Sequence, residues 1–133
     1  MKTITDVINH LKENSIQFVD FQFTDLHGIS RHITYHVDNV SEKTFTEGVG
    51  FDGSSLEGWC TINKSDMVLM PDITTLYISP FTAHKTAIMT CNVYDPTTED
   101  AYNRCPRGIA ERAEEALTKS GIAEKALFGP ELE

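Results

Sequence analysis

Two neighbouring stretches in which apolar and polar residues alternate place the strongest constraint on how this chain folds. Residues 17–24 carry Val19, Phe21 and Phe23 at every second position, and residues 29–37 alternate in the same way. Successive side chains of a β-strand point to opposite faces, so each stretch predicts a strand with one apolar face. The four residues between them, Asp-Leu-His-Gly, have the composition of a turn. The two stretches therefore predict a β-hairpin.

Further elements follow from helical spacing and from the positions of proline and glycine. Apolar residues at i, i+3, i+4 and i+7 from Ile4 predict an amphipathic N-terminal helix, with Thr3 or Thr5 as its N-cap. Pro106 in its first turn and Gly121 at its end delimit a second, longer helix. The other predictions are helical turns at 41–47, a loop at 48–59, strands at 66–70, 76–78 and 86–94, a linker at 95–100 and a strand that begins at 126.

Composition and charge narrow the classes of function. Apolar residues make up 40% of the 133 residues and charged residues 23%, which is ordinary for a globular domain. The formal net charge of −9 disfavours binding to nucleic acid or to an anionic membrane. No apolar run is long enough to span a bilayer, and the N-terminus lacks the apolar region of a signal peptide. We therefore expect a cytoplasmic protein whose three cysteines are free thiols.

The glycine-rich stretch at residues 48–59 contains a candidate functional carboxylate. Residues 48–53 match the pattern G-x-G-x-x-G. A dinucleotide site needs a strand before this pattern and a helix after it, and neither is predicted here. What remains is a loop that presents Asp52 beside small hydroxyl residues. Composition alone favours a solvated loop with an Asx turn, whereas the length of the loop favours a functional role.

Two acidic residues close the chain in a pattern that suits metal binding. If the strand that begins at residue 126 continues, Glu131 and Glu133 lie on the same face, about 6–7 Å apart. Carboxylate oxygens are the ligands that Mg²⁺ and Mn²⁺ prefer, and this spacing lets each glutamate hold a separate ion. A solvated pair of acids on an exposed face explains the spacing equally well.

Four motifs, in order along the chain, resemble the glutamine synthetases of the bacterial type I class. They are Phe-Asp-Gly-Ser-Ser at 51–55, Ser-Asp-Met-Val-Leu-Met-Pro-Asp at 65–72, Cys-Pro-Arg-Gly-Ile-Ala at 105–110 and Phe-Gly-Pro-Glu-Leu-Glu at 128–133. The resemblance implies an α+β fold with a β-grasp domain at residues 1–100. Residues 101–133 would then be the start of a catalytic domain, its first helix and strand, in the N-terminal part of a longer protein.

The resemblance also implies roles for individual residues. Asp52 would be a catalytic residue, on a loop that reaches into the active site of a neighbouring subunit. Ser54 and Trp59 would lie near that subunit junction. Glu131 and Glu133 would bind two different divalent ions, Mg²⁺ or Mn²⁺. The assembly expected for the family is a dodecamer of two hexameric rings.

The activity implied is the ATP-dependent condensation of glutamate and ammonia to glutamine through γ-glutamyl phosphate. The family's other metal ligands and its ATP- and glutamate-binding residues lie beyond position 133, so we expect this chain to be inactive alone. Two alternatives stay open at this point. One is a γ-glutamyl–amine ligase of the same superfamily, and the other is a free-standing β-grasp module that binds partners through its sheet edge.

Overall fold

The computed structural model describes residues 3–60 and 65–129 and contains three α-helices and six strands in those ranges. The helices are α1 (Ile4–Glu13), α2 (Glu42–Thr46) and α3 (Pro106–Ser120). The strands are β1 (Phe18–Thr24), β2 (Ser30–His36), β3 (Val49–Asp52), β4 (Asp66–Pro71), β5 (Tyr77–Ile78) and β6 (Thr86–Tyr94). Within these described ranges, none of the helices has the length and apolar character needed to cross a lipid bilayer.

The strands form one mixed sheet in the order β2-β1-β6-β4-β3, with β5 paired to β6. The predicted hairpin is confirmed, because β1 and β2 pair antiparallel from Phe18 opposite His36 to Thr24 opposite Ser30. Strand β6 connects the two halves of the sheet. Its first residues pair parallel with β1, and its last four pair antiparallel with β4.

The core lies between one face of the sheet and the helices α1 and α2. Strand β1 alternates as predicted, with Val19, Phe21 and Phe23 buried. The helix α1 contributes Val7 and Leu11 to the same apolar cluster. Of the two predicted N-caps, Thr3 is the one observed, and it forms a reciprocal capping box with Asp6.

The prediction of a continuous loop over residues 48–59 is wrong for its first part, which forms strand β3. Val49 is buried and lies opposite Leu69 of β4. Gly48 has a φ of +82°, a conformation that glycine adopts without strain, and it directs the chain into the strand. The glycine-rich composition obscured the strand because ladder hydrogen bonds come from the backbone and do not depend on the side chains.

The predicted strand from residue 126 is also wrong within the described residues, since residues 126–129 have no regular structure. A β-strand needs a neighbour to satisfy its backbone groups, and no described strand pairs with this segment. Leu127 and Phe128 are 85% and 91% exposed. The remainder of that predicted strand, residues 130–133, lies outside the described residues.

Helix α3 has the predicted boundaries and meets the sheet through its N-terminal half. Pro106 occupies the first turn, and Gly121 ends the helix in the left-handed conformation. The Arg107 guanidinium forms an ion pair with Asp72, which follows β4. One turn later, Glu111 accepts hydrogen bonds of 3.1 and 3.2 Å from Asn92 of β6.

Candidate active-site loop

Asp52 is the last residue of β3 and the first residue of the candidate site. Its Oδ1 accepts hydrogen bonds from the Ser54 backbone N–H at 2.8 Å and from the Ser54 hydroxyl at 2.6 Å. These contacts make Asp52 the N-cap of a 3₁₀ turn, Gly53–Ser55, directly after the strand. Asp66 lies opposite Asp52 on β4. The strand therefore fixes the backbone of Asp52, and Ser54 fixes its side chain.

Gly53 permits the tight passage from strand to turn. A Cβ atom at this position would lie 2.9 Å from Cys60 Sγ and 2.9 Å from Met67 Cγ. The Gly53 N–H also donates a 2.7 Å hydrogen bond to the Ser65 carbonyl. The buried backbone at Gly53 thus anchors the loop at the same place where Asp52 is exposed to solvent.

The environment of Asp52 favours its ionised form. Hydrogen bonds from the Ser54 hydroxyl and backbone N–H lower the pKa of Asp52. The loss of some surrounding water raises this pKa, a hydrogen bond with Ser65 lowers it, and the net shift is downward. Asp52 is consequently an anion at neutral pH. An exposed, fixed carboxylate of this kind attracts a cation, but its lowered pKa makes it a weak proton acceptor on its own.

Ser54 and Trp59 occupy different environments on this loop. The Ser54 side chain is half-buried, and its hydroxyl donates a hydrogen bond to Asp52. Trp59 is 1% exposed and contacts three aromatic rings, Phe23, Phe51 and Tyr102, at centroid distances of 5.6, 6.0 and 5.2 Å. In this chain Trp59 is therefore a core residue that fastens the far end of the loop, and its place near a subunit junction stays a prediction.

Two further residues, which the sequence patterns did not single out, hold the carbonyl groups at the end of the loop. The Tyr102 hydroxyl donates to the Trp59 carbonyl. Arg104 Nη1 donates to the Gly58 carbonyl at 2.9 Å and to the Trp59 carbonyl at 3.3 Å. No local pattern could reveal these contacts, because they join residues that are 43 to 46 positions apart in the chain.

A cleft of about 460 Å³ is lined by the end of the loop and by the segment that precedes α3. Its lining consists of Gly58, Trp59, Cys60, Met67, Asp95, Tyr102, Asn103 and Arg104. Burial raises the pKa of the Cys60 thiol, the negative charge of Asp52 raises it further, and Arg104 lowers it. Cys60 is thus a neutral thiol at physiological pH, poorly suited to act as a nucleophile.

The turn of the β1–β2 hairpin lies against the same loop. Asp25 is buried there, where its Oδ2 pairs with Arg31 at 2.7 Å and its Oδ1 accepts two backbone N–H groups at 2.9 Å. His27 on this turn approaches Glu57 on the loop, with Nε2 and Oε2 separated by 3.7 Å. The hairpin turn therefore supports the loop on one side.

The predicted metal ligands Glu131 and Glu133 lie outside the described residues. Across residues 3–60 and 65–129, no cluster of three or more histidine, cysteine, aspartate or glutamate side chains has a metal-binding arrangement. The described part of the chain therefore supplies Asp52 and its supporting residues to the candidate site.

A family model described as the glutamine synthetase β-grasp domain matches residues 15–96, which include every strand described above. The chain belongs to the glutamine synthetase family. The family resemblance and the β-grasp fold predicted from the motifs are thereby confirmed.

Relatives named glutamine synthetase match this chain over all or nearly all of its length. The protein from Bradyrhizobium diazoefficiens is 47% identical over 133 residues, which are 100% of this chain and 28% of that relative. The protein from Escherichia coli K12 is 49% identical over 127 residues, which are 96% of this chain and 27% of that relative. The chain thus spans little more than a quarter of the length of these glutamine synthetases.

A solved structure of Plasmodium falciparum glutamine synthetase shows the same fold. It superposes with a TM-score of 0.81 at 20% identity, over 91% of this chain and 23% of that one. At this level of identity the likeness concerns the fold alone.

Proposed function

We propose that this chain is the N-terminal part of a glutamate–ammonia ligase and that Asp52 serves its ammonium site. One observation carries the proposal: Asp52 is an exposed carboxylate, fixed by Ser54 in its ionised form, at the end of a strand within a glutamine synthetase β-grasp domain. An ammonium ion is small and cationic, so a fixed anion is the group that concentrates it.

In the proposed reaction, ATP phosphorylates the γ-carboxylate of glutamate, and ammonia then displaces phosphate from γ-glutamyl phosphate. Ammonium must lose a proton before it becomes a nucleophile. The lowered pKa of Asp52 supports a role in attracting and orienting the cation. The carboxylate then accepts one proton from ammonium, and the ammonia so formed attacks the acyl carbon while phosphate leaves and takes up the second proton. A loop held over the acyl phosphate also protects it from water.

Glu131 and Glu133 remain the proposed ligands of two divalent ions, Mg²⁺ or Mn²⁺. Such ions, when bound, screen the repulsion between the glutamate carboxylate and the phosphates of ATP. The acidic side chains suit hard cations in charge and in donor atom. The role proposed for Asp52 does not depend on these two residues.

We extend the proposal to organisation and assembly. Residues 1–100 form the β-grasp domain and residues 101–133 begin the catalytic domain. In a cytoplasmic dodecamer of two hexameric rings, the loop that carries Asp52 and Ser54 faces a neighbouring subunit, with Trp59 behind it. The match of this whole chain to part of a glutamine synthetase supports this arrangement, and so does the exposure of Asp52.

The test is Asp52→Ala in the full-length protein, with kcat and KM measured for ammonium, glutamate and ATP. We expect kcat/KM for ammonium to fall by about 100-fold or more, the range typical of a positioned charged or acid–base group. Light scattering should show that the variant assembles into a particle of the same mass as the unsubstituted protein. Asp66→Asn is the matched control, since Asp66 is an exposed aspartate directly opposite on β4.

Two outcomes would contradict the proposal. Unchanged kcat/KM for ammonium in Asp52→Ala would remove the role assigned to this residue. Faster turnover with a larger primary amine than with ammonium would favour a γ-glutamyl–amine ligase instead.

A further inference from the structure

Tyr102 and Arg104 form a clamp on the loop that carries Asp52. The two side chains donate three hydrogen bonds to two successive carbonyl groups, those of Gly58 and Trp59. The Tyr102 ring also lies against the Trp59 indole, with an interplanar angle of 35°. Hydrogen bonds from a charged guanidinium are stronger than those between neutral groups, so the clamp holds the backbone in place as well as the ring.

The clamp is connected to Asp52 through a continuous series of turns. Ser54 donates its backbone N–H to Asp52, Leu56 donates to the Gly53 carbonyl at 3.1 Å, and Trp59 donates to the Leu56 carbonyl at 3.3 Å. The loop from Asp52 to Trp59 is thus hydrogen-bonded along its length. A displacement of its far end is therefore transmitted through these turns toward Ser54, whose N–H and hydroxyl hold the Asp52 carboxylate.

The clamp is itself fixed to the sheet and to α3. The Tyr102 N–H donates to the Val93 carbonyl of β6 at 2.8 Å, and the Cys105 N–H donates to the Tyr102 carbonyl at 3.1 Å. Cys105 is buried and is the N-cap of α3. The segment that leads into α3 therefore sets the position of the loop.

We propose that Tyr102 and Arg104 are positioning residues for the reaction, which hold the Asp52 loop at the reach and orientation that ammonium use requires. This inference rests on the proposed function of Asp52. It goes beyond that proposal because it assigns a role to two side chains of a different segment. It also predicts that the entry to α3 and the ammonium site are coupled.

The experiment compares Tyr102→Phe and Arg104→Gln in the full-length protein. We expect each change to raise KM for ammonium about fivefold, the factor that corresponds to the loss of one net hydrogen bond. KM for ATP and for glutamate should stay within about twofold. Arg104→Lys, which keeps one charged donor, should restore part of the ammonium affinity.

Lys119→Gln is the control. Lys119 is an exposed cation near the end of α3 whose Nζ lies 3.1 Å from Glu115, away from the loop and from the segment that precedes the helix. Its substitution should leave all three KM values unchanged. Hydrogen exchange of the backbone amides of residues 53–59, measured in the same full-length proteins, reports the loop directly. We expect faster exchange there in the two clamp variants and no change in Lys119→Gln.

A double variant separates positioning from a general loss of structure. In an Asp52→Ala background, Arg104→Gln should cause no further loss of ammonium use, because both changes act through one group. Unchanged KM for ammonium in both clamp variants, with Asp52→Ala strongly impaired, would overturn the clamp while sparing the role of Asp52. An unimpaired Asp52→Ala would instead overturn the proposed function and the clamp's catalytic role with it.

Discussion

At the scale of single residues, the two glycines near the start of β3 have opposite environments. Gly48 has a φ of +82°, and a Cβ atom there would lie 2.2 Å from Val68 Cγ1 and 2.8 Å from the Leu69 carbonyl oxygen. Gly50, two positions later on β3, has an ordinary φ and no atom within 4 Å of such a Cβ. The local backbone therefore requires glycine at position 48 and not at position 50.

We predict that Gly48→Ala lowers the free energy of unfolding by about 1–3 kcal/mol, because it adds both backbone strain and a steric clash. Gly50→Ala should be neutral or slightly stabilising, since alanine loses less conformational entropy in a strand. Urea denaturation followed by Trp59 fluorescence measures both changes. Equal stability of the two variants would contradict the left-handed conformation and close packing described for Gly48.

The sequence predicts Asp52, Ser54 and Trp59 in the candidate site, but not every residue that supports them. The motif around Asp52 identified an exposed carboxylate that Ser54 fixes in its ionised form at the end of a strand. Tyr102 and Arg104 were missed, because long-range contacts to backbone carbonyls leave no periodicity in the sequence. Likewise, no pattern in the sequence distinguishes a buried Trp59 from an exposed one.

At the scale of elements, α3 is held to the sheet by polar contacts more than by apolar packing. Gly108 is its one buried residue, and Ile109 is 47% exposed. The Arg107–Asp72 ion pair is mostly shielded from solvent, and Arg107 also lies 3.3 Å from Glu111. Partial burial raises the pKa of Asp72, but the hydrogen bonds from Thr74 and the charge of Arg107 outweigh it, and the pKa is lowered overall.

We predict that Arg107→Ala loosens α3 by about 1–2 kcal/mol, the range for a partly buried charged hydrogen bond. Hydrogen exchange should accelerate in α3 and remain unchanged in the β1–β2 hairpin. Lys119→Ala, at an exposed position near the end of the same helix, is the control. Because the pKa of Asp72 is lowered in the folded protein, its stabilising effect is present above about pH 3.8 and is lost as pH falls further. Arg107→Ala should weaken that acid-dependent loss, and unchanged exchange in α3 would contradict the prediction.

Elements with strong periodicity were predictable, and those that depend on partners were not. The hairpin, α1, β6 and α3 follow from alternation, helical spacing and terminal proline and glycine. Strand β3 was not predicted, because its pairing with β4 stabilises it whereas its glycines give no apolar alternation in the sequence. The segment from residue 126 has the composition of a strand, but no described strand lies beside it to complete one.

At the scale of the whole molecule, the proposed function requires more groups than the described residues supply. Asp52 offers a fixed anion, while Glu131 and Glu133 lie outside the described residues, and the relatives extend to more than three times this length. Phosphoryl transfer from ATP requires groups that bind the nucleotide and neutralise its phosphates. A single exposed carboxylate repels those phosphates and performs neither task.

We therefore predict that the purified 133-residue chain forms no glutamine from ATP, glutamate and ammonium, with Mg²⁺ or Mn²⁺ present. Detection of glutamine by mass spectrometry is the measurement, with the Escherichia coli relative as the positive control. The folded state should be verified in the same sample by Trp59 emission, which is blue-shifted only while the indole is buried. Glutamine formation by the folded chain would mean that residues 1–133 hold a complete site, and it would overturn the assignment of Asp52 as one contributor among many.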